Sequence, residues 1–400
     1  MPVADPLYDI VSAAIDDRHL VIGWGDGHNS RFHPLWLRHQ CSCSFCGTPV
    51  NAVRGIRLHH IPEDIAPVLD SRTADTVTLV WSDDGHRSVY DARWLRDHCY
   101  SDSERARRKH RPVLWDRRIG NDCPRADRIA CETSPEARLA LLETVRDYGF
   151  CFIENAPEKR EDASRLIELF GPQRISHYGT YELSKKGKVD NVGDITEALD
   201  PHMDETYRMS TIGITVFQVL RPSSNGGHST LVDGFEAVRR LREAWPEDFD
   251  LLTRLPVTGQ RRDAAYNSGG QSKIYSATMP SIRVDFDGDV CGLRLNERQI
   301  SPLDVPEAMV EPAYKALRRL YDIVYDPELR LTFELKAGEG LVFDNQRVLH
   351  GRSAFEPEEP ARSVLTSSVD IEEFHSTLRQ VTEAVRGRMP PMRLAQGMVA

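Results

Sequence analysis

The chain has 400 residues, 40% of them apolar, eight cysteines and a formal net charge of −10. That is enough for one large or two ordinary domains with real cores, and it excludes wholesale disorder. The acidic balance argues against a phosphate-backbone binder, and no apolar run reaches the roughly 18 residues of a membrane span.

The first residues, MPVADPLYDIVSAAIDD, carry acidic side chains and no basic n-region, so no secretory leader is expected and the expected location is cytoplasmic. Residues 19–24 and 76–81 alternate as short strands, and Ser82-Asp-Asp-Gly85 is a hairpin signal. The expectation is a small β-rich domain over residues 1–105. Residues 106–134 are charged and proline-containing and read as a linker. The basic run 105–111 reads as a solvated face rather than a nucleic-acid arm.

A second domain is expected over residues 135–390. Ser134-Pro135-Glu136 starts a helix, with Leu139, Leu142, Val145 and Tyr148 at helical spacing and Gly149 ending it. Residues 150–153 and 211–220 read as core strands, with a turn at 222–227. Phe235, Val238, Leu241 and Trp245 mark an outer helix, and 281–286, 330–335 and 341–343 are further strand candidates. Residues 370–386 are helix-like, packing or dimerising. Strands outnumber helices and no βαβ alternation occurs, which predicts a mainly β fold: a double-stranded β-helix (jelly roll) with flanking helices. No internal repeat is expected.

Two clusters carry chemistry. Cys41-Ser-Cys43-Ser-Phe-Cys46 offers three thiolates to a tetrahedral Zn(II), which accepts three cysteines and a histidine. His86, just past the hairpin, is the best fourth ligand, with His39, His59, His60 and His98 as competitors. In the second domain, His202-Met203-Asp204 on a strand would put both ligands on one face. A distant His350 would complete the two-histidine, one-carboxylate set of a facial Fe(II) site. Arg362 is placed to hold a carboxylate with a two-pronged contact.

These residues resemble a known family. Leu35-Trp-Leu-Arg38, the Cys41–Cys46 cluster and Trp81-Ser-Asp-Asp-Gly-His86 resemble the N-terminal zinc domain of gamma-butyrobetaine hydroxylase and trimethyllysine dioxygenase. Ala198-Leu-Asp-Pro-His-Met-Asp204, Leu231-Val-Asp-Gly-Phe235 and Phe343-Asp-Asn-Gln-Arg-Val-Leu-His-Gly-Arg352 resemble the catalytic domain of the same TauD/TfdA-like oxygenases. The resemblance implies Zn(II) at Cys41, Cys43, Cys46 and His86, and Fe(II) at His202, Asp204 and His350. It implies 2-oxoglutarate as cosubstrate, with Arg362 on its distal carboxylate and Thr332 as a second contact. It further implies O2, a small-molecule substrate, hydroxylation of an unactivated C–H, and a homodimer; on charge and hydropathy, neither nucleic acid nor membrane is expected as partner.

The family's substrate ammonium sits among aromatic rings held by cation–π attraction. Tyr178 and Tyr181 fit two such positions, whereas Asp194 and Ser368 stand where tyrosines are expected. A carboxylate there suits an ammonium with N–H donors, so the expected substrate is another amine or amino acid. Asn191 and Asn296 match positions for the substrate's acidic end. Arg294 and Arg298 flank Asn296 and open the alternative of a phosphonate or a phosphorylated substrate such as a nucleotide. Met203 and Gln346 depart from the family's usual residues without removing an iron ligand. From another class, a non-catalytic zinc-containing interaction module is the competing reading.

Overall fold

The structure is a computed structural model that describes residues 5–47, 55–175, 181–183, 196–223, 226–263, 272–356, 362–389, 391–394 and 397–399. The chain forms two compact units, built mainly from Met1–Lys109 and His110–Pro390.

The first unit opens with β1 (Ile10–Asp16), β2 (His19–Trp24) and β3 (Asn29–Phe32), then helix α1 (Pro34–His39). After the cysteine cluster come β4 (Pro67–Arg72), β5 (Thr76–Trp81) and β6 (Arg87–Asp91), then α2 (Ala92–Asp97) and α3 (Asp102–Arg108). Each strand triplet is its own antiparallel sheet, β1-β2-β3 and β4-β5-β6. Alternation aims Leu20, Ile22, Val77, Leu79 and the two tryptophans Trp24 and Trp81 into one core, where all are fully buried. The helices are short but well started. Pro34 presets the first turn of α1, and Asp91 caps α2 by accepting the Trp94 amide at 2.9 Å. The absence of an internal repeat expected from the sequence does not hold. One arrangement, three strands and a helix, occurs twice.

The second unit begins where a linker was expected. Residues 110–134 hold β7 (Arg125–Asp127) and α4 (Arg128–Thr133), and Trp115 is buried. The reason is a buried ion pair. Arg347 donates to Asp233 at 2.9 Å and also to the carbonyls of Val113 and Asp147, while the Trp115 amide donates to Asp233. Charge and proline in this stretch mark anchoring, not a loose connection.

There follow α5 (Pro135–Tyr148), β8 (Phe150–Glu154), α6 (Ser164–Ile167), β9 (Tyr181–Leu183), β10 (Leu199–His202), β11 (Ile214–Arg221) and β12 (Ser229–Asp233). Next are α7 (Gly234–Ala244), α8 (Pro246–Leu252), β13 (Val257–Asp263), β14 (Lys273–Met279), β15 (Ile282–Val284) and β16 (Val290–Leu293). The unit continues with α9 (Glu307–Val324), β17 (Leu331–Phe333), β18 (Gly340–Asp344), β19 (Val348–Arg352), β20 (Ser363–Val369) and α10 (Ile371–Arg386). α5 begins and ends as the sequence indicates: Ser134 accepts the Ala137 amide, and Gly149 closes it at φ 77°. A Cβ at Gly149 would also meet the Arg347 side chain at 2.8 Å.

Two sheets face each other, a six-stranded one in the order β7-β8-β18-β11-β20-β9 and a four-stranded one in the order β10-β19-β12-β17. Phe150, Phe152, Leu231, Leu331, Phe343 and Val348 fill the space between them. α5 and α10 cover the outer face of the larger sheet through Leu142, Val145, Phe374 and Leu378. α7, α8 and α9 cover the smaller sheet through Val238, Leu241, Leu252 and Leu317. This is the expected double-stranded β-helix with flanking helices. α10 therefore packs within its own unit.

Candidate functional site

β10 and β19 pair antiparallel with His202 opposite His350. Residues directly opposite in a ladder point to one face, so the register alone brings the two imidazoles together. Their ring centroids are 4.4 Å apart. Val348 and Leu231 lie in the inter-sheet core and Leu349 and Val232 in the outer one, so His350 faces the interior. Phe217 and Phe343 wall it there, at 5.6 and 4.9 Å between ring centroids.

Asp204 leaves the strand just after His202, and its two carboxylate oxygens lie 3.6 Å from His202 Nε2 and 3.6 Å from His350 Nε2. A backbone clamp sets this geometry. Asn345 Oδ1 accepts the Asp204 amide at 2.8 Å, and Asn345 Nδ2 donates to the Asp204 carbonyl at 3.1 Å. Asn296 Nδ2 donates to the Met203 carbonyl at 3.0 Å, so Asn296 holds the ligand loop from the other side. His202 Nδ1 lies 2.8 Å from the Asp200 carbonyl, a contact that orients the ring with Nε2 toward Asp204.

The protonation states suit a cation. Burial, and then His202, pushes the His350 imidazole down to about 3, so it is neutral. Burial alone would raise the Asp204 carboxyl, but His350 and His202 outweigh it and hold that group below the usual carboxylate range.

Arg362 stands just before β20, and its guanidinium lies over the Phe355 ring at 6.0 Å. Burial lowers its pKa. Thr332 departs from expectation. It pairs with Thr230, whose other partner is Gly351, so strand alternation turns it to the face opposite His350, and it is exposed. Ser229 is the hydroxyl on the inner face, paired with Arg352 beside His350. The period-two pattern around Leu231 was the available signal for it. Asn345 had none, since its partner is 141 residues away.

Arg294, Asn296 and Arg298 do not form one strand face, because β16 ends at Leu293 and a 3-10 turn covers Glu297–Gln299. Arg294 donates to the carbonyls of Arg208 and Met209. Arg298 is exposed, and its charge acts on Asp204. Ser368 pairs with Thr215, on the face that carries Phe217. Tyr178, Asn191 and Asp194 lie outside the described residues, and Tyr181 is placed by its backbone in β9, opposite Thr366.

In the first unit, His86 Nε2 lies 3.4, 3.5 and 3.5 Å from the sulfurs of Cys41, Cys43 and Cys46. A tetrahedral zinc with bonds of about 2.3 Å to sulfur and 2.0–2.1 Å to nitrogen separates those atoms by about 3.5 Å. Burial, together with the neighbouring Cys41, pushes the Cys46 thiol up to about 12, a crowding that a bound dication relieves. Among the described residues, these four and the His202, Asp204, His350 set are the only groups of three or more His, Cys, Asp or Glu ligand atoms gathered within 4.8 Å.

The family model described as the taurine catabolism dioxygenase TauD, TfdA family matches residues 125–367, more than half of the chain. The chain belongs to the TauD, TfdA family. A second model, gamma-butyrobetaine hydroxylase-like, N-terminal, matches residues 11–96 of this TauD-family chain. The chain is 30% identical to gamma-butyrobetaine dioxygenase of Pseudomonas sp. over 379 residues, covering 94% of this chain and 96% of that protein. It is 29% identical to trimethyllysine dioxygenase of Meyerozyma guilliermondii over 371 residues, covering 87% and 90%. It is 27% identical to human gamma-butyrobetaine dioxygenase over 355 residues, covering 86% and 89%.

Proposed function

We propose that this chain is an Fe(II)- and 2-oxoglutarate-dependent dioxygenase that hydroxylates an unactivated C–H of a small cationic or zwitterionic metabolite. The convergence of His202, Asp204 and His350 on the inner face is the observation that carries the reading. Two imidazole nitrogens and one carboxylate, the one such group in this unit among the described residues, match the donor set of that iron centre. The bound metal and cosubstrate would supply O2 activation coupled to decarboxylation of 2-oxoglutarate to succinate.

The chain's own residues do the rest. His202, Asp204 and His350 hold the metal, and Asn345 and Asn296 hold the ligand loop. Arg362, half-buried beside Phe355, binds the cosubstrate's far carboxylate, and Ser229 on the inner face adds a hydroxyl donor. Phe217 and Phe343 keep water from the His350 side. Cys41, Cys43, Cys46 and His86 hold a structural zinc that staples the small first unit.

The substrate's ammonium end goes to Tyr178, Tyr181 and Asp194. Its acidic end goes to Asn191 and Arg298, whose charge reaches Asp204. That position of Arg298 also favours a second reading, a phosphonate or phosphate in place of the carboxylate. The thiolate cluster fits a reducing, cytoplasmic setting. A homodimer is the proposed assembly, and a monomer mass in light scattering would reject it.

The test is succinate formation by Fe(II)-loaded protein across amines, betaines, amino acids and phosphonates, with His202→Ala as control. Substrate-stimulated turnover absent from the variant is expected. Protein that binds no iron would overturn the reading. Calorimetric titration then separates trimethylated from non-methylated amines, and a clear preference for the trimethylated ones would sink the role given to Asp194.

A further inference from the structure

The two halves of the first unit match in register and in detail. In β2–β3, Leu20 pairs with Phe32 and Ile22 with Ser30; in β5–β6, Val77 pairs with Tyr90 and Leu79 with Ser88. Trp24 Nε1 donates to Ser30 Oγ at 2.8 Å, and Trp81 Nε1 donates to Ser88 Oγ at 2.8 Å. The halves also exchange contacts reciprocally. Arg38 of the first pairs with Asp84 of the second at 2.9 Å, and Arg96 of the second pairs with Asp26 of the first at 2.7 Å. Trp36 stacks on its own counterpart, Trp94, with centroids 5.2 Å apart. Reciprocal pairs around one self-contact are the signature of a twofold relation, here within a single chain. The sequence carries it as Trp24-Gly-Asp-Gly-His28 against Trp81-Ser-Asp-Asp-Gly-His86, and as Trp36-Leu-Arg38 against Trp94-Leu-Arg96.

That relation carries the metal-binding pole onto a second pole. His86 corresponds to His28, Cys41 to Cys99, Cys43 to Ser101 and Cys46 to Glu104. The geometry follows the correspondence. His28 Nε2 lies 3.5 Å from Cys99 Sγ and 3.5 Å from Ser101 Oγ. Arg38 donates to Cys46 at 3.3 Å, and Arg96 donates to Glu104 at 3.1 Å. Two of the four ligand types are kept and two are changed. Arg107 also pairs with Glu104 at 2.8 Å, so that carboxylate is turned to guanidinium groups.

We propose that this second pole is a latent site for a thiophilic divalent cation such as zinc. Ser101 and Glu104 silence it, and the buried Arg96–Glu104 pair closes the fold where the metal closes it at the first pole. Cysteines at both positions restore a set of three thiolates and one imidazole, the chemistry that binds zinc tetrahedrally. The proposal rests on the zinc reading of the first pole.

Cobalt titration of the full chain separates the two. Thiolate-to-cobalt charge-transfer absorption reports sulfur-ligated metal alone, and the His202, Asp204, His350 site has no sulfur. One thiolate-bound cobalt per chain is expected in the wild type and two in S101C/E104C. Adding H28A to that double variant returns the count to one. Two equivalents in the wild type would overturn the silencing. One equivalent in a folded double variant would overturn the latent site. No thiolate-bound cobalt in the wild type overturns the reading of the first pole and this one with it. Ser101→Cys alone leaves the ion pair intact and supplies a third ligand, which covers the case of a double variant that does not fold. A second, weaker equivalent is expected from it, and its absence counts against the proposal.

Discussion

Asn345 grips Asp204 by its backbone, accepting its amide at 2.8 Å and donating to its carbonyl at 3.1 Å across 141 residues of chain. The contact fixes where the carboxylate sits without using the carboxylate. Asn345→Ala is expected to weaken metal binding about 10–100-fold, the usual effect of losing a residue that orients a ligand. It should also cost about 1–3 kcal/mol, because a buried amide and carbonyl lose their partner. Cobalt or iron titration beside thermal melting checks both. Unchanged metal affinity would show that the strands alone position Asp204.

Arg362 and Thr332 separate cleanly by experiment. Arg362→Ala should raise the KM for 2-oxoglutarate by roughly 100-fold or more, as expected for removing a charged partner worth several kcal/mol. Arg362→Lys should rescue it only in part, since a point charge cannot make the two-pronged contact.

Thr332→Ala should leave the KM for 2-oxoglutarate unchanged, while Ser229→Ala should raise it severalfold, on the order of the 1 kcal/mol of one hydrogen bond. Steady-state kinetics on the pair decides between the two faces of the smaller sheet. The opposite pattern would mean that the cosubstrate lies outside the inner face.

Chelation should act on one unit. Cys41→Ser, or removal of zinc by a strong chelator, is expected to melt the first unit at lower temperature while the second keeps its transition. Calorimetry should resolve two events where the holoprotein shows them closer together. A single unshifted transition would exclude a structural role for the metal.

His375 makes stability depend on pH. Its imidazole is buried on α10, and burial, then Arg379 and His110, pushes it down to about 4 from an ordinary 6.5. Between those values the unfolded chain binds a proton that the folded chain does not, so stability falls as pH drops from 6.5 toward 4 and levels off below. The loss is on the order of 3 kcal/mol at its full extent. His375→Gln should flatten that limb in denaturant titrations at pH 7 and pH 4.5. An unchanged slope would assign the acid limb to other groups.

Much of the site is legible in the chain. Cys41, Cys43 and Cys46 lie within six residues, and His202 and Asp204 are two apart, so local spacing alone brings most ligands together. The helix from Pro135 to Tyr148 announces its ends, because Ser134 and Gly149 have side-chain chemistry that only a helix terminus uses. The strand period in residues 211–220 and 341–343 marks the core strands for the same local reason. Arg362 was readable as an anion binder from residue type and distance to His350.

What no local pattern contains is which strand lies beside which. His350 meets His202 through the antiparallel pairing of β10 and β19, and a slip of one residue would turn every side chain of β19 to the other face. The same register turned Thr332 outward and Ser229 inward. Asn345 and Asn296 reach the ligand loop only after the sheets close, and the Asp233–Arg347 pair turned an expected linker into part of the core. Composition, spacing and end-capping act between neighbours in sequence, so the sequence by itself determined the ligand types, the fold class and the two kinds of metal chemistry. Ladder register and buried hydrogen bonds act between residues some ninety or more positions apart, so only the tertiary structure decided how the ligands are held and which candidate residues reach them.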